Sequence, residues 1–219
     1  MKDKIEKCIK STAEKFWRQP YNFFTESDAH SYLYYYIFRF GSSRYKTPYP
    51  TKDKRKTVLI HREYPTSFRY RKKNMKQLKG NGGRGHYDLV VLNPKFMIGH
   101  DINEIIAQTY KKCKKDESNH LLAAIEFKLV TKSLDKGLRS EIKKDFKKLR
   151  LALSNKQAIS AFMIIFNRAN KNEKYHKEFQ SLTNKYPEIK AIYVESVFKP
   201  KRYAKPFYSA NWKHKIHGT

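Results

Sequence analysis

Cysteine is almost absent from this chain. Cys8 and Cys113 are its two cysteines, too few for a zinc site, and their spacing fits no metal knuckle. That usage points to reduced thiols in an intracellular protein. Acid is also scarce: 20 Asp and Glu stand against 48 Lys and Arg, a formal net charge of +28. A thermophile surface would balance its lysines with glutamates in ion-pair networks, and this one does not. So large a surplus repels itself unless a polyanion is bound, and nucleic acid is the polyanion such a charge suits. No apolar run approaches a membrane span. Lysines and glutamates interrupt the N-terminal segment where a secretory signal would need a continuous apolar core. A soluble intracellular protein without a membrane partner is therefore expected. No internal repeat or compositional break marks a second domain, so residues 1–219 read as one domain with N-terminal helices and a basic C-terminal tail.

Hydrophobic periodicity supplies the elements. Lys4 to Trp17 predicts a helix with Ile5, Cys8, Ile9, Thr12 and Phe16 on one side. Thr25 reads as the N-cap of a second helix running to about Phe40. Its inward face carries Glu26, Ala29, His30, Leu33 and Ile37. Thr57 to Glu63 predicts a strand. The basic stretch Phe68 to Lys79 reads as extended or mobile. Gly80 to Gly85 reads as a hairpin connection; it lacks the lysine-serine/threonine ending of a phosphate-binding P-loop. His86 to Leu92 predicts a strand closed by Asn93-Pro94. Asp101 to Lys115 predicts an inserted helix, and Leu121 to Val130 another strand. Leu134 to Leu153 predicts a helix with Lys143, Lys144, Lys147 and Lys148 largely off its apolar stripe. Strands over Ala158 to Phe166 and Ile189 to Val197, with a helix over Glu173 to Tyr186 between them, complete the pattern. Lys199 to Thr219 reads as a basic, aromatic tail.

The chemistry concentrates at Asp88 and at Glu126-Phe127-Lys128. Each lies on an apolar strand candidate, and strand alternation points Glu126 and Lys128 to one side while Ile125, Phe127 and Leu129 point to the other. Two carboxylates and an ammonium together suit a divalent ion and an attacking water.

An acidic strand, a long gap, Glu-x-Lys on a second strand, then a helix and a further strand: this order resembles the PD-(D/E)xK nuclease superfamily. Tyr87-Asp88 stands where many members carry Pro-Asp. The resemblance implies an α/β fold with a restriction-endonuclease-like core, a central mixed sheet flanked by helices. It implies a metal-dependent nuclease hydrolysing DNA phosphodiester bonds, with catalytic Asp88, Glu126 and Lys128 and with Mg²⁺ or Mn²⁺ as cofactor. Asp88, Glu126 and the backbone carbonyl of Phe127 are the expected ligands. Glu63 either completes the shell or is a polar strand end. Glu26 resembles the acidic residue many members carry on the first core helix, or serves the helix dipole instead. The resemblance is also compatible with a homodimer, which nothing else in the sequence calls for. Arg69, Arg71, Lys72, Lys73, Arg84, His86, Lys143, Lys144 and Lys147 are the candidate nucleic-acid contacts, directed at phosphates. Aromatics beside the basic stretches (Phe68, Tyr70, Tyr110, Tyr203, Phe207 and Tyr208) either stack on unpaired bases or, for more of them, pack in the core. Nothing in the chain separates deoxyribose from ribose, and a nucleic-acid-binding protein without catalysis is the competing expectation.

Overall fold

The computed structural model describes residues 2–41, 43–71, 76–78, 83–107, 119–131, 135–168, 173–196, 206–210 and 212. A seven-stranded mixed sheet forms its centre, in the order β4-β3-β5-β6-β7-β8-β9. Its strands are β3 (Ile60–Arg71), β4 (Lys76–Leu78), β5 (Gly83–Leu92), β6 (Leu121–Val130), β7 (Ala161–Asn167), β8 (Lys190–Glu195) and β9 (Phe207–Tyr208). The β3, β5 and β6 strands run antiparallel, whereas β6, β7 and β8 run parallel. A separate two-stranded ribbon pairs β1 (Tyr49–Pro50) with β2 (Lys56–Thr57). The expected α/β class, with a mixed central sheet and flanking helices, is the architecture seen.

Helices cover both faces because the central strands are apolar on both, as parallel strands require; every residue of β7 is buried. On one face lie α1 (Lys2–Arg18) and α2 (Glu26–Tyr36). The predicted stripe of Ile5, Cys8, Ile9, Thr12 and Phe16 is buried throughout, and Phe16 stacks on Phe166 of β7 at 4.2 Å between ring centroids. Burial pushes the Cys8 thiol up to about 11, which suits an inert core cysteine; Cys113 lies outside the described residues. On the other face, α6 (Lys136–Ser154) and α7 (Glu173–Lys185) meet through Phe146 and Phe179, and Phe179 packs on Tyr193 of β8. Asp135 caps α6 by accepting from Leu138 N–H. Thr25 caps α2 as expected, in a reciprocal box with Asp28.

Several boundaries differ from expectation. The second helix is α-helical only to Tyr36, and Ile37 to Gly41 form a wider π turn. Such a turn adds a residue without breaking the helix, leaving Ile37 and Gly41 buried and Phe40 exposed. Strand β3 begins at Ile60 and continues to Arg71, so Phe68 to Arg71 belong to the sheet. Periodicity missed this because Pro65 and a register shift before Arg69 interrupt the pattern. Pro65 is tolerated because β4 pairs only with Arg69 to Arg71. The expected helix after Asp101 is seen as α5 (Ile102–Ala107); its remainder, including Lys111 to Lys115, lies outside the described residues. Short α3 (Ser43–Lys46) and α4 (Pro94–Gly99) complete the α-helices among the described residues, the latter capped by Asn93. The tail is not wholly peripheral. Phe207 and Tyr208 add an antiparallel edge strand to β8, and Trp212 is buried with its indole N–H donating to the Ala191 carbonyl at 3.1 Å.

Candidate active site

The site begins where two strands part. The β5 and β6 strands pair from Leu92↔Leu121 to Leu89↔Ile125, and the ladder then stops although both strands continue. Beyond that point β6 has backbone N–H groups on its β5 edge with no strand opposite. Acidic side chains take the strand's place. The Asp88 carboxylate accepts from Phe127 N–H at 2.6 Å. The Glu26 carboxylate, arriving from the first turn of α2, accepts from Leu129 N–H at 3.3 Å. In an antiparallel strand the carbonyl and N–H of one residue point to the same edge, so the Phe127 carbonyl also faces this gap.

Glu126 and Lys128 point together to the face covered by α6, as alternation predicts, while Phe127 packs on the α2 side against His30. Residues of α6 meet both. Lys148 Nζ lies 2.7 Å from Glu126 Oε1 and 3.2 Å from Asp145 Oδ1, and it donates to the His86 carbonyl at 2.9 Å. Lys128 Nζ lies 3.3 Å from Glu26 Oε1 and 3.4 Å from Asp145 Oδ2. Four carboxylates thus lie around two ammoniums, a formal surplus of two negative charges on side chains that run from 1 % exposed at Glu126 to 34 % at Glu26.

The titration behaviour follows from that surplus. Burial pushes Glu126 well above the usual carboxylate range; Lys148 pulls it back, and Asp88 and Asp145 add to the rise. Glu26 is raised for the same first reason, with Lys128 opposing and Asp88 reinforcing. Burial works against the charge on Lys128, but Asp145, Glu26, Asp88 and Glu126 outweigh it and hold the ammonium above its ordinary value. Lys148 is held up likewise, burial being outweighed by Glu126 and Asp145.

His30 supplies the test of whether a cation fits. It stands one turn after Glu26 on α2, and its residue is 5 % exposed. Its Nε2 is 3.7 Å from Asp88 Oδ2 and 4.0 Å from Glu26 Oε1, beyond hydrogen-bond reach. Both ring nitrogens are buried with no hydrogen-bond partner. Burial holds His30 below the ordinary histidine value, with Asp88 opposing, so the neutral, ligating imidazole is favoured. Ligand atoms of Glu26, His30 and Asp88 lie within 4.8 Å of one another. Two carboxylate oxygens and an orphaned imidazole nitrogen suit a divalent cation.

The structure therefore brings Asp88, Glu126, Lys128, the Phe127 backbone and Glu26 to one place. Glu63 sits on β3 between the pairs Arg62↔Leu89 and Tyr64↔Tyr87, exposed and at φ 51°. It is outside the group of converging ligand atoms found among the described residues. His86 is exposed and contributes its carbonyl to Lys148. Arg69 and Arg84 stand opposite each other in the β3·β5 register, with Arg71 two residues further along β3. Lys72 and Lys73 lie outside the described residues. Lys143 pairs with Glu178 at 2.8 Å, Lys144 is half-buried and Lys147 is exposed.

Sequence reasoning missed three members. His30 was legible as an inward residue at i+4 from Glu26 but not as a ligand. Lys148, expected largely off the apolar stripe, is only 8 % exposed. Asp145 falls three residues after Ile142 and four before Leu149, both buried, so an acid at a core position was its available signal. Among the described residues, no helix is long and apolar enough to cross a membrane. Compared with protein-family models, curated proteins and solved structures, the chain matches none of them.

Proposed function

We propose that this protein is a metal-dependent nuclease that hydrolyses DNA phosphodiester bonds, on a core of the restriction-endonuclease type. The observation that carries this reading is the convergence of Asp88, Glu26 and the orphaned His30 at the gap between β5 and β6, with Glu126 and Lys128 beside them. Glu26, His30 and Asp88 would hold a divalent ion, with the Phe127 carbonyl and Glu126 adjacent. Such an ion supplies charge neutralisation at phosphate oxygens and a water activated for attack. Magnesium prefers an all-oxygen shell, whereas an imidazole in the donor set suits transition-metal ions, so of the two expected ions Mn²⁺ is the better match.

The chain's own groups have separable tasks. Lys128, held charged by surrounding acids, is suited to stabilising negative charge that develops on the phosphate rather than to abstracting a proton at neutral pH. Asp145 touches both lysines and positions them. Lys148 holds Glu126 against β6 from the α6 side. The net charge of +28 supplies long-range attraction for the substrate.

The test uses the full chain with Mn²⁺ or Mg²⁺ and with labelled duplex DNA, single-stranded DNA and RNA. Asp88→Asn and Lys128→Met are expected to lose cleavage by about 100-fold or more while retaining salt-sensitive binding. Undiminished cleavage in both variants would remove the assignment, and cleavage confined to RNA would move it to the other sugar.

A further inference from the structure

Two large rings stand in solvent beside the acidic gap. The connection between α1 and α2 passes through a short 3₁₀ turn, Pro20–Asn22, and exposes Tyr21 at 49 % and Phe24 at 70 %. Between them Phe23 is fully buried, packed against Phe16, Tyr32 and Phe166. The exposed rings are not on a loosely held loop. Phe24 N–H and Thr25 N–H both donate to the Asp28 carboxylate, at 2.9 and 2.8 Å. Asn22 donates to the Gln19 side chain. Arg168 donates to the Phe23 carbonyl at 2.9 Å and sets its guanidinium 5.5 Å from the Tyr21 ring centroid. The backbone is fixed from both sides, yet the apolar rings are left in water, where burial would be favourable.

Their position matters more than their exposure. Glu26, whose carboxylate meets Lys128 and Leu129, follows Phe24 by two residues, a chain distance of at most about 7 Å. Arg168 N–H donates to the Val130 carbonyl, two residues beyond Lys128. Tyr21, Phe24 and Arg168 therefore belong to the carboxyl ends of parallel β6 and β7, the end where open α/β sheets place ligands. A fixed cation over one exposed ring, with a second exposed ring three residues along the chain, is a surface for flat, electron-rich groups attached to a negative backbone. Paired bases in a duplex hide their faces in the stack, whereas unpaired bases present them.

We infer that Tyr21, Phe24 and Arg168 form a stacking platform for unpaired bases, so that the substrate entering the acidic gap is single-stranded DNA or a frayed DNA end. This inference rests on the nuclease reading of the adjoining site. It commits the surface to nucleobases, with Arg168 serving both the Tyr21 ring and the nearby phosphates.

The experiment compares the full-length protein with its Tyr21→Ala, Phe24→Ala and Phe24→Trp variants. Binding is followed by fluorescence anisotropy with Mn²⁺ present, on Lys128→Met counterparts of these proteins, so that the cation is available and no cleavage intervenes. The probes are a single-stranded oligonucleotide, an abasic strand of equal length and a matched duplex. The protein with both rings unaltered should prefer the strand with bases over the abasic strand. Each alanine change should weaken binding to the base-bearing strand about 5- to 150-fold, leave abasic and duplex binding unchanged, and spare Phe24→Trp. Equal affinity for base-bearing and abasic strands, or equal losses on both, would overturn the platform. Cleavage with Mn²⁺ is measured on the same proteins with Lys128 retained: absent cleavage with intact base preference removes the nuclease reading alone, and intact cleavage without base preference removes the platform alone.

Discussion

Lys148→Met tests whether the α6 side of the cluster behaves as a buried ionic network. Methionine retains most of the apolar stem and deletes only the ammonium. The lost group lies 2.7 Å from Glu126 and 3.2 Å from Asp145, with Lys148 at 8 % and Glu126 at 1 % exposure. Removing one partner of such a pair leaves an uncompensated charge, at a cost of about 3–5 kcal/mol. For a chain of this size that lowers the midpoint of thermal unfolding by about 6–20 °C. The double variant Lys148→Met, Glu126→Gln deletes the stranded charge and should recover most of the loss. The pH dependence has a definite sign. Glu126 has a folded-state pKa raised above its ordinary 4.5, so ionisation in the unfolded chain costs folding stability as pH rises beyond 4.5. Without Lys148 the Glu126 pKa rises further, so the loss continues to higher pH, and the gap between variant and parent widens with increasing pH and narrows on acidification. The Lys148 contribution itself, raised above 10.5 in the folded state, is fully present below that pH and lost only above it. Calorimetric melts from pH 4 to 8 would check the Glu126 dependence, and melts carried above pH 10.5 the Lys148 one. A single variant within about 1 kcal/mol of the parent, as an exposed pair would give, or no recovery in the double variant, would refute the buried-network account.

The other expectations concern the cation site, the chemistry and the tail. His30→Gln should weaken Mn²⁺ binding by about 10-fold or more, measured by isothermal titration or electron paramagnetic resonance without substrate. Burial lowers the His30 pKa, so parent affinity should fall as pH drops through that depressed value, and this component of the acid limb should disappear in the variant. Asp88→Asn and Lys128→Met should abolish most cleavage and keep binding. Alanine at Tyr21 or Phe24 should cost affinity only for strands that carry bases. Trp212→Ala should cost about 3–5 kcal/mol in urea unfolding, because its ring is buried against Phe162 and its N–H is bonded to Ala191; an unshifted midpoint would detach the tail from the core.

The elements that were legible in sequence are those whose period matches their packing. The α1 stripe, the alternation around Glu126 and Lys128 and the cap at Thr25 each follow from side-chain spacing within one segment. Asp88 and Glu126 stood out as acids on apolar strands. The illegible features depend on what another segment does. Lys148 belongs to a run of lysines that reads as a solvated face, and only Glu126, arriving from β6, draws its ammonium inward. His30 looks like an ordinary core histidine until Asp88 is placed 3.7 Å away. The parting of β5 from β6 falls where Asp88 and Glu126 interrupt the apolar runs, yet an acid on a strand does not by itself mark the end of pairing.

One short segment explains why the site and the platform occur together. The Phe23 ring anchors the α1–α2 connection in the core, and Asp28 fixes the two N–H groups that follow. From that anchor α2 sends Glu26 and His30 inward to the unpaired edge of β6, while Tyr21 and Phe24 remain outside it. Displacing the connection would therefore disturb the cation ligands and the exposed rings together. On the nuclease reading, this coupling also reconciles the two charge scales of the chain. The surface is strongly basic, and attracts a polyanion from a distance. The cluster itself carries surplus negative charge, and would repel a phosphate at contact. A divalent cation held by Glu26, His30 and Asp88 reverses only the second of these, so metal and strand favour each other's binding at this gap while the rest of the surface needs no change.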